Sequence, residues 1–316
     1  MKKVAILSSS HKKLICDEAR QILIDAGFEL VCNDTGRRLN REEQKEMIQG
    51  VYGIIAGTEV YDAEMLAGLD ELKVVSRFGV GTDNFDLKVM KEMGLEVGVI
   101  ANHNAVAEFA LTLMLSVMKN LPLQDKAARN ASWNRASTRE LTAKTVGLLG
   151  FGRIGRRVAE LLKGFDVNIL AYDPYPNEQA AAERGVKMVS FEEVITQSDI
   201  VSLHLPYMES THHIIDAKAI ASMKDGAYLI NTARGPLVDE NALAEALKAG
   251  KLTGAGVDVY ETEPILPDNP LIPLANTVMT PHVSALTYET NYNGGIICAQ
   301  SIVNVLNGGK PLYPLW

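Results

Sequence analysis

The chain has 316 residues, 47% of them hydrophobic and 22% charged, with a formal net charge of -8. That length exceeds what one compact core usually holds, so two domains are expected, and the composition is that of an ordinary soluble protein. The negative balance, without any long Lys/Arg run, speaks against a nucleic-acid partner. Cys16, Cys32 and Cys298, none in a CxxC pair, point to a reduced, cytoplasmic chain with neither disulfides nor a metal site.

Met1 to Ser8 holds too few apolar residues for a signal-peptide core and reads as a first strand, Val4 to Leu7. Strand-like runs then alternate with helix-like periods: Leu14 to Ala26, Phe28 to Cys32, Glu42 to Gln49, Gly53 to Ala56, Ala63 to Leu69, Val74 to Phe78 and Leu95 to Ile100. Such alternation predicts a mostly parallel sheet covered on both faces. The helix from Val106 to Met118 is apolar on almost every side, with Glu108 its one charge, and is expected to be buried all round by a domain junction or a second subunit. Its uncharged run from Phe109 is too short to span a bilayer, so no membrane association is expected.

A second alternating series begins at Thr145 to Leu149 and continues through Val167 to Tyr172, Asp199 to Leu205, Ala227 to Asn231, Leu252 to Tyr260 and Thr277 to Thr280. A last helix, Tyr288 to Leu306, has no series of its own, and roughly 30 residues do not build a domain. The tail is therefore expected to return to the first domain. The fold class is α/β, with two Rossmann-like, doubly wound parallel sheets. Residues 1–101 and 284–316 form a discontinuous, flavodoxin-like substrate domain, and residues 102–283 an inserted dinucleotide-binding domain.

Directly after the strand Thr145 to Leu149 comes Gly150-Phe151-Gly152-Arg153-Ile154-Gly155, followed by the helix face Ile154, Val158, Leu161 and Leu162. Asp173 ends the next strand. This is the strand, phosphate loop, helix and ribose-binding carboxylate of a dinucleotide site. Amides at the helix start face the pyrophosphate. Asp173 accepts from ribose hydroxyls and repels the extra phosphate of NADP, and no arginine follows in Pro174 to Asn177, so NAD is the expected cofactor.

Three further segments follow predicted strands: Asn231 to Gly235, Asp258 to Pro264, and Thr280 to Ala285. Ligands of open α/β sheets bind at the carboxyl ends of strands, where all three converge. Together with Arg77-Phe78-Gly79-Val80-Gly81-Thr82-Asp83-Asn84 and Asn102-His103-Asn104-Ala105-Val106-Ala107-Glu108, they resemble the D-isomer-specific 2-hydroxyacid dehydrogenase family, in its phosphoglycerate dehydrogenase branch. The resemblance runs in order over essentially the whole chain.

The resemblance implies an NAD-dependent enzyme that interconverts a D-2-hydroxy acid and its 2-oxo acid by hydride transfer. His282 is then the acid and base, a task that suits an imidazole because it titrates near neutrality. Glu263 is its carboxylate partner, fixing the tautomer. Arg234 grips the substrate carboxylate with an always-charged planar fork. The backbone amides of Val80 and Gly81 bind the same carboxylate as an anion nest, which is equally the pattern of a tight turn. Asn102 lies near the substrate, and Asn104 reads equally as a helix cap. Leu205, Pro206, Thr232, Ala233, Asp258, Ser284 and Ala285 line the cofactor with the glycine loop, Asp258 near the nicotinamide carboxamide.

Arg77 either holds a second anionic group, such as a phosphate, or pairs with an internal acid. The substrate is accordingly 3-phosphoglycerate, hydroxypyruvate, glyoxylate or another small 2-hydroxy or 2-oxo acid. The alternative from another class is a corepressor-like, NAD-sensing binding protein; the presence of Arg234, Glu263 and His282 favours the enzyme. A homodimer through the Val106 to Met118 helix is expected, as is the absence of a C-terminal regulatory extension and of serine feedback through one. His204 is assigned to structure or the cofactor wall. His11, His103, His212 and His213 are assigned to loops or solvent. The adjacent pair His212-His213 is not read as a metal site, because neighbours on a strand face opposite ways.

Overall fold

Short aliphatic runs with no polar face become strands buried on both sides, as required where helices cover a parallel sheet front and back. The computed structural model describes residues 1–8, 15–100, 103–133 and 135–316. The chain divides into two units, Met1–Asn102 with Leu286–Trp316, and His103–Ala285. Each is built around one parallel sheet.

In the first unit β1 (Lys2–Ile6), β2 (Phe28–Cys32), β3 (Gly53–Ala56), β4 (Val74–Arg77) and β5 (Glu96–Val99) lie in the order β2-β1-β3-β4-β5. Helices α1 (Asp17–Asp25), α2 (Arg41–Met47), α3 (Ala63–Leu66), α4 (Leu87–Glu92) and, from the end of the chain, α12 (Tyr288–Leu306) complete it. Alternation sends Val4, Ile6, Ile55 and Val74 to one face, against Ala19 and Leu23 of α1 and Cys298 and Ile302 of α12. Ala5, Ile54 and Val75 meet Met65, Leu66 and Met90 on the other. Beyond α12 the chain runs back along β5. Val99 N–H donates to Tyr313 O (3.0 Å) and Leu315 N–H to Val97 O (3.0 Å), so the tail covers that edge of the sheet.

In the second unit the strands are β6 (Thr145–Leu149), β7 (Asn168–Tyr172), β8 (Lys187–Met188), β9 (Ile200–Leu203), β10 (Ala227–Asn231), β11 (Leu252–Val257) and β12 (Thr277–Met279). Their order is β12-β11-β10-β9-β6-β7-β8. Its helices are α5 (His103–Met118), α6 (Leu121–Arg129), α7 (Arg153–Leu162), α8 (Glu178–Ala182), α9 (Phe191–Gln197), α10 (Ala217–Ser222) and α11 (Glu240–Lys248). Val146, Leu148 and Ile230 pack on Leu113 and Met114 of α5 and Val158 and Leu162 of α7. Val201, Leu203 and Leu229 pack on Val194, Ile220, Leu243 and Leu247 of α9 to α11. The strand order reverses between β6 and β9, the crevice where doubly wound sheets receive ligands.

Within the chain one side of α5 is covered: Ala107, Ala110, Leu113, Met114 and Val117 are buried, whereas Asn104, Glu108 and Thr112 are exposed and Phe109, Leu111 and Leu115 half-buried. One expectation changes. Strand β11 stops at Val257 rather than Tyr260, because the Asp258 N–H still donates to Asn231 O (2.9 Å) but its side chain turns to the following segment. No single helix among the described residues is long and apolar enough to cross a membrane.

Candidate active site

The glycine loop joins β6 to α7 at the reversal point. Gly150 has φ +104°, and a Cβ there would stand 2.6 Å from the carbonyl carbon of His204 on the neighbouring strand end. A Cβ on Gly155 would stand 2.2 Å from Gly150 O, so only glycine lets α7 start this close to β6. Gly152, at the N-cap of α7, has nothing within 4 Å of its Cβ position: its open side leaves room for a diphosphate against the backbone. Arg153 and Ile154 open the helix, Arg153 exposed and Ile154 half-buried. Asp173, at the end of β7, accepts from Phe151 N–H through Oδ2 (2.7 Å) and from Tyr175 N–H through Oδ1 (2.9 Å), tying the carboxylate to the loop.

The strand ends of β9 to β12 stand beside it. Leu205 is buried and Pro206 exposed after β9. The buried Thr232 hydroxyl and the Nδ1 of His204 have no hydrogen-bond partner among the described residues. Unpartnered buried polar atoms at the ends of β9 and β10, with the glycine cradle, fit a polar cofactor lying over this edge. Burial lowers the His204 pKa to about 4, so its ring is neutral, with Nε2 bonded to Ser202 Oγ at 3.0 Å.

Asn231 shapes the next segment: its Oδ1 accepts from Ala233 N–H (3.0 Å) and its Nδ2 donates to Arg234 O (2.9 Å). Gly235 follows because any Cβ there would sit 1.9 Å from the carbonyl carbon of Tyr260. This close packing places the Arg234 segment against the Tyr260 to Glu263 turn. Asp258 is fully buried, and its carboxylate accepts from Thr280 Oγ1 (2.6 Å), Val283 N–H (2.9 Å) and Ser284 N–H (2.9 Å). It thereby holds the 280–284 segment, with Ser284 buried and Ala285 half-buried beside it.

His282 sits in that segment with φ +53°, a left-handed backbone few non-glycine residues adopt. Its Nδ1 lies 2.7 Å from Glu263 Oε2, leaving Nε2 for other partners. Glu263 Oε1 accepts from Tyr260 N–H at 3.1 Å. Burial pushes the Glu263 carboxyl up, but the bonds from His282 and the Tyr260 N–H and the nearby charge of Arg234 together hold it below its ordinary value. It is ionised at neutral pH, as a partner to an imidazolium must be.

Sequence reasoning passed over Glu240, the first residue of α11. It is buried, and it accepts from Glu261 N–H (3.1 Å) and Asn269 Nδ2 (2.7 Å), clamping the turn that carries Glu263. Burial, with the charges of Glu261 and Glu263, raises its carboxyl pKa. Asp239 at the N-cap marks the helix in the sequence, but no local pattern shows where Glu240 points.

The reading of His212 and His213 needs correction. They follow a short 3-10 helix rather than lying on a strand, and His213 has φ +48°. The two rings stack at 3.9 Å, and His213 Nε2 pairs with Glu261 Oε1. The alternation of side chains along a strand does not apply in such a turn. No group of three or more metal-ligating side chains occurs among the described residues.

In the other unit, the substrate-loop residues follow β4. Val80 is exposed and Gly81 half-buried, and neither N–H donates a hydrogen bond among the described residues. The Arg77 guanidinium donates to the carbonyls of Gly81 (3.0 Å), Phe78 (3.1 Å) and Ala56 (3.4 Å). Asn102 and His11 lie outside the described residues.

Residues 111–284 match the family model of the D-isomer specific 2-hydroxyacid dehydrogenase NAD binding domain. The chain belongs to that family. The D-3-phosphoglycerate dehydrogenase of Archaeoglobus fulgidus is 38% identical over 93% of this chain and 56% of its own. The glyoxylate reductase of Korarchaeum cryptofilum is 36% identical over 80% of this chain and 79% of its own. The crystal structure of a glyoxylate reductase from Paecilomyes thermophila superposes with a TM-score of 0.90 at 29% identity, covering 99% of this chain and 98% of that one. The chain spans about half the length of the D-3-phosphoglycerate dehydrogenases it matches. As in the family, the glycine loop and its sheet form an NAD-binding domain.

Proposed function

We propose that the protein is an NAD-dependent oxidoreductase that interconverts a small D-2-hydroxy acid and its 2-oxo acid. The observation that carries this reading is the 2.7 Å contact between His282 Nδ1 and Glu263 Oε2, with the charge of Arg234 acting on the same carboxylate. Bound NAD supplies or takes up the hydride. In the reducing direction His282 donates a proton from Nε2 to the oxygen of the 2-oxo acid, while Nδ1–H stays on Glu263, which stabilises the imidazolium. Arg234 holds the substrate carboxylate and polarises the reacting carbonyl. The amides of Val80 and Gly81, which donate no hydrogen bond among the described residues, suit a carboxylate as an anion nest in their own unit.

The cofactor contacts fall to Gly150, Gly152, Arg153, Ile154, Gly155, Asp173, Leu205, Pro206, Thr232, Ala233, Asp258, Ser284 and Ala285. Asp173 favours NAD over NADP by the charge argument given above. The same reading takes the protein as a cytoplasmic homodimer that binds neither nucleic acid nor membrane, in keeping with its net charge of -8.

The test is His282→Ala, followed by NADH consumption with a panel of 2-oxo acids. The variant is expected to lose turnover by about 100- to 10,000-fold, the range of a general acid, while NADH binding is retained. Near-normal turnover would remove the assignment.

A further inference from the structure

The peptide group between Ala56 and Gly57, at the carboxyl end of β3, is gripped from two sides. Its carbonyl accepts from Arg77 Nη1 (3.4 Å), and its N–H donates to Glu59 Oε2 (2.8 Å). A guanidinium and a buried carboxylate, Glu59 being 6% exposed, are thus coupled through one amide. Asn84 fixes the arrangement by donating to the carbonyls of Gly57 (3.3 Å) and Glu59, which ties the loop after β3 to the loop that carries Val80 and Gly81. In the same loop the hydroxyl of Tyr61 is fully buried and without a partner among the described residues. Burial raises its pKa well above the ordinary value, the Glu59 charge pushing the same way and Arg77 opposing.

Arg77 is in this way committed to the protein. Three of its contacts are backbone carbonyls, one of them the carbonyl of the same Ala56–Gly57 amide whose N–H is held by Glu59. Of the residues 57–62 and 77–86, Arg77 is the single cation, set against Glu59, Asp83 and Asp86 as well as Asp62, which pairs with Arg41. A phosphate on the substrate adds about -1.5 to -2 charges to the carboxylate. Such a group would meet a loop whose net charge is already negative and whose arginine already donates to three carbonyls.

We propose that Glu59 is a specificity-determining residue that restricts this site to 2-hydroxy and 2-oxo acids without a second anionic group, with Arg77 serving as a strut beneath the carboxylate loop. This rests on the dehydrogenase reading above, since it assumes that the loop at Val80 and Gly81 receives the substrate carboxylate.

The experiment compares hydroxypyruvate with 3-phosphohydroxypyruvate in the wild type and in Glu59→Gln, which keeps an acceptor for the Gly57 N–H but removes the charge. The wild type is expected to favour the unphosphorylated acid in kcat/KM by about tenfold or more, the scale of one poorly screened charge contact. Glu59→Gln should narrow that ratio severalfold, chiefly through KM for the phosphorylated acid. Equal or better use of the phosphorylated acid by the wild type would overturn the proposal, as would an unchanged ratio in a folded variant. If the variant does not fold, the wild-type ratio decides. Calorimetric binding of glycerate and 3-phosphoglycerate to the NAD-loaded protein separates the two readings. A preference for glycerate without turnover of any 2-oxo acid would remove the dehydrogenase and leave the specificity, whereas turnover with tighter 3-phosphoglycerate binding would do the reverse.

Discussion

At the scale of single residues, neutral His204 links the site to stability. Its pKa falls from 6.5 to about 4 in the folded chain, so the unfolded chain binds the proton more readily between those values. Stability from this residue is complete above pH 6.5 and declines as the pH falls towards 4. At about 1.4 kcal/mol per pH unit the loss reaches about 3 kcal/mol. Urea unfolding at pH 7.5 and pH 4.5 should show a smaller acid loss in His204→Gln than in the wild type. Other carboxylates titrate in both proteins, so the difference between the two isolates His204, and equal losses would show that its ring protonates freely when folded.

At the scale of elements, the three glycines of the β6 to α7 turn separate packing from binding. Gly155→Ala places a methyl group against the Gly150 carbonyl and should cost about 1–3 kcal/mol, as overpacking does. Gly152→Ala meets no atom within 4 Å, so its stability should change by no more than about 1 kcal/mol, the scale of an N-cap substitution. NADH titration of the Gly152 variant should nonetheless show weakened binding. Undiminished affinity would mean that the diphosphate does not lie over that residue.

The same elements show what was legible in the sequence. Strands such as Gly53–Ala56 and Ala227–Asn231 announce themselves, because a strand covered on both faces has no polar period to hide in. Strand β8, with two residues, and the short helices α8 to α10 carry too few turns for any period to register. In the candidate site, the identities of His282, Glu263 and Arg234 were legible from their motifs. The inward-facing Asp258 carboxylate, the Glu240 clamp and the stacked pair His212-His213 were not, since each depends on contacts far along the chain or on a left-handed residue.

At the scale of the whole molecule, α5 presents Phe109, Leu111 and Leu115 half-buried, and the adjoining α6 exposes Leu121 and Leu123. These apolar positions on consecutive helices are where the proposed homodimer would form. Sedimentation at micromolar concentration should therefore give a dimer for the wild type, and Leu121→Glu with Leu123→Glu should shift it towards monomer. A monomeric wild type would remove the homodimer from the reading.

The placement of α12 against β4 and α1 sets the order in which the chain can mature on the ribosome. On the face of the first sheet shared by α1 and α12, the part that meets Cys298 and Ile302 stays uncovered until α12 has been made, although the five strands are complete long before. At about 5–20 residues per second the intervening unit takes on the order of ten seconds or more to synthesise. The NAD-binding unit is thus the first to close its core. Residues 1–100 spend that interval with the part of an apolar sheet face beside α1 exposed, the stage at which a chaperone would find its target.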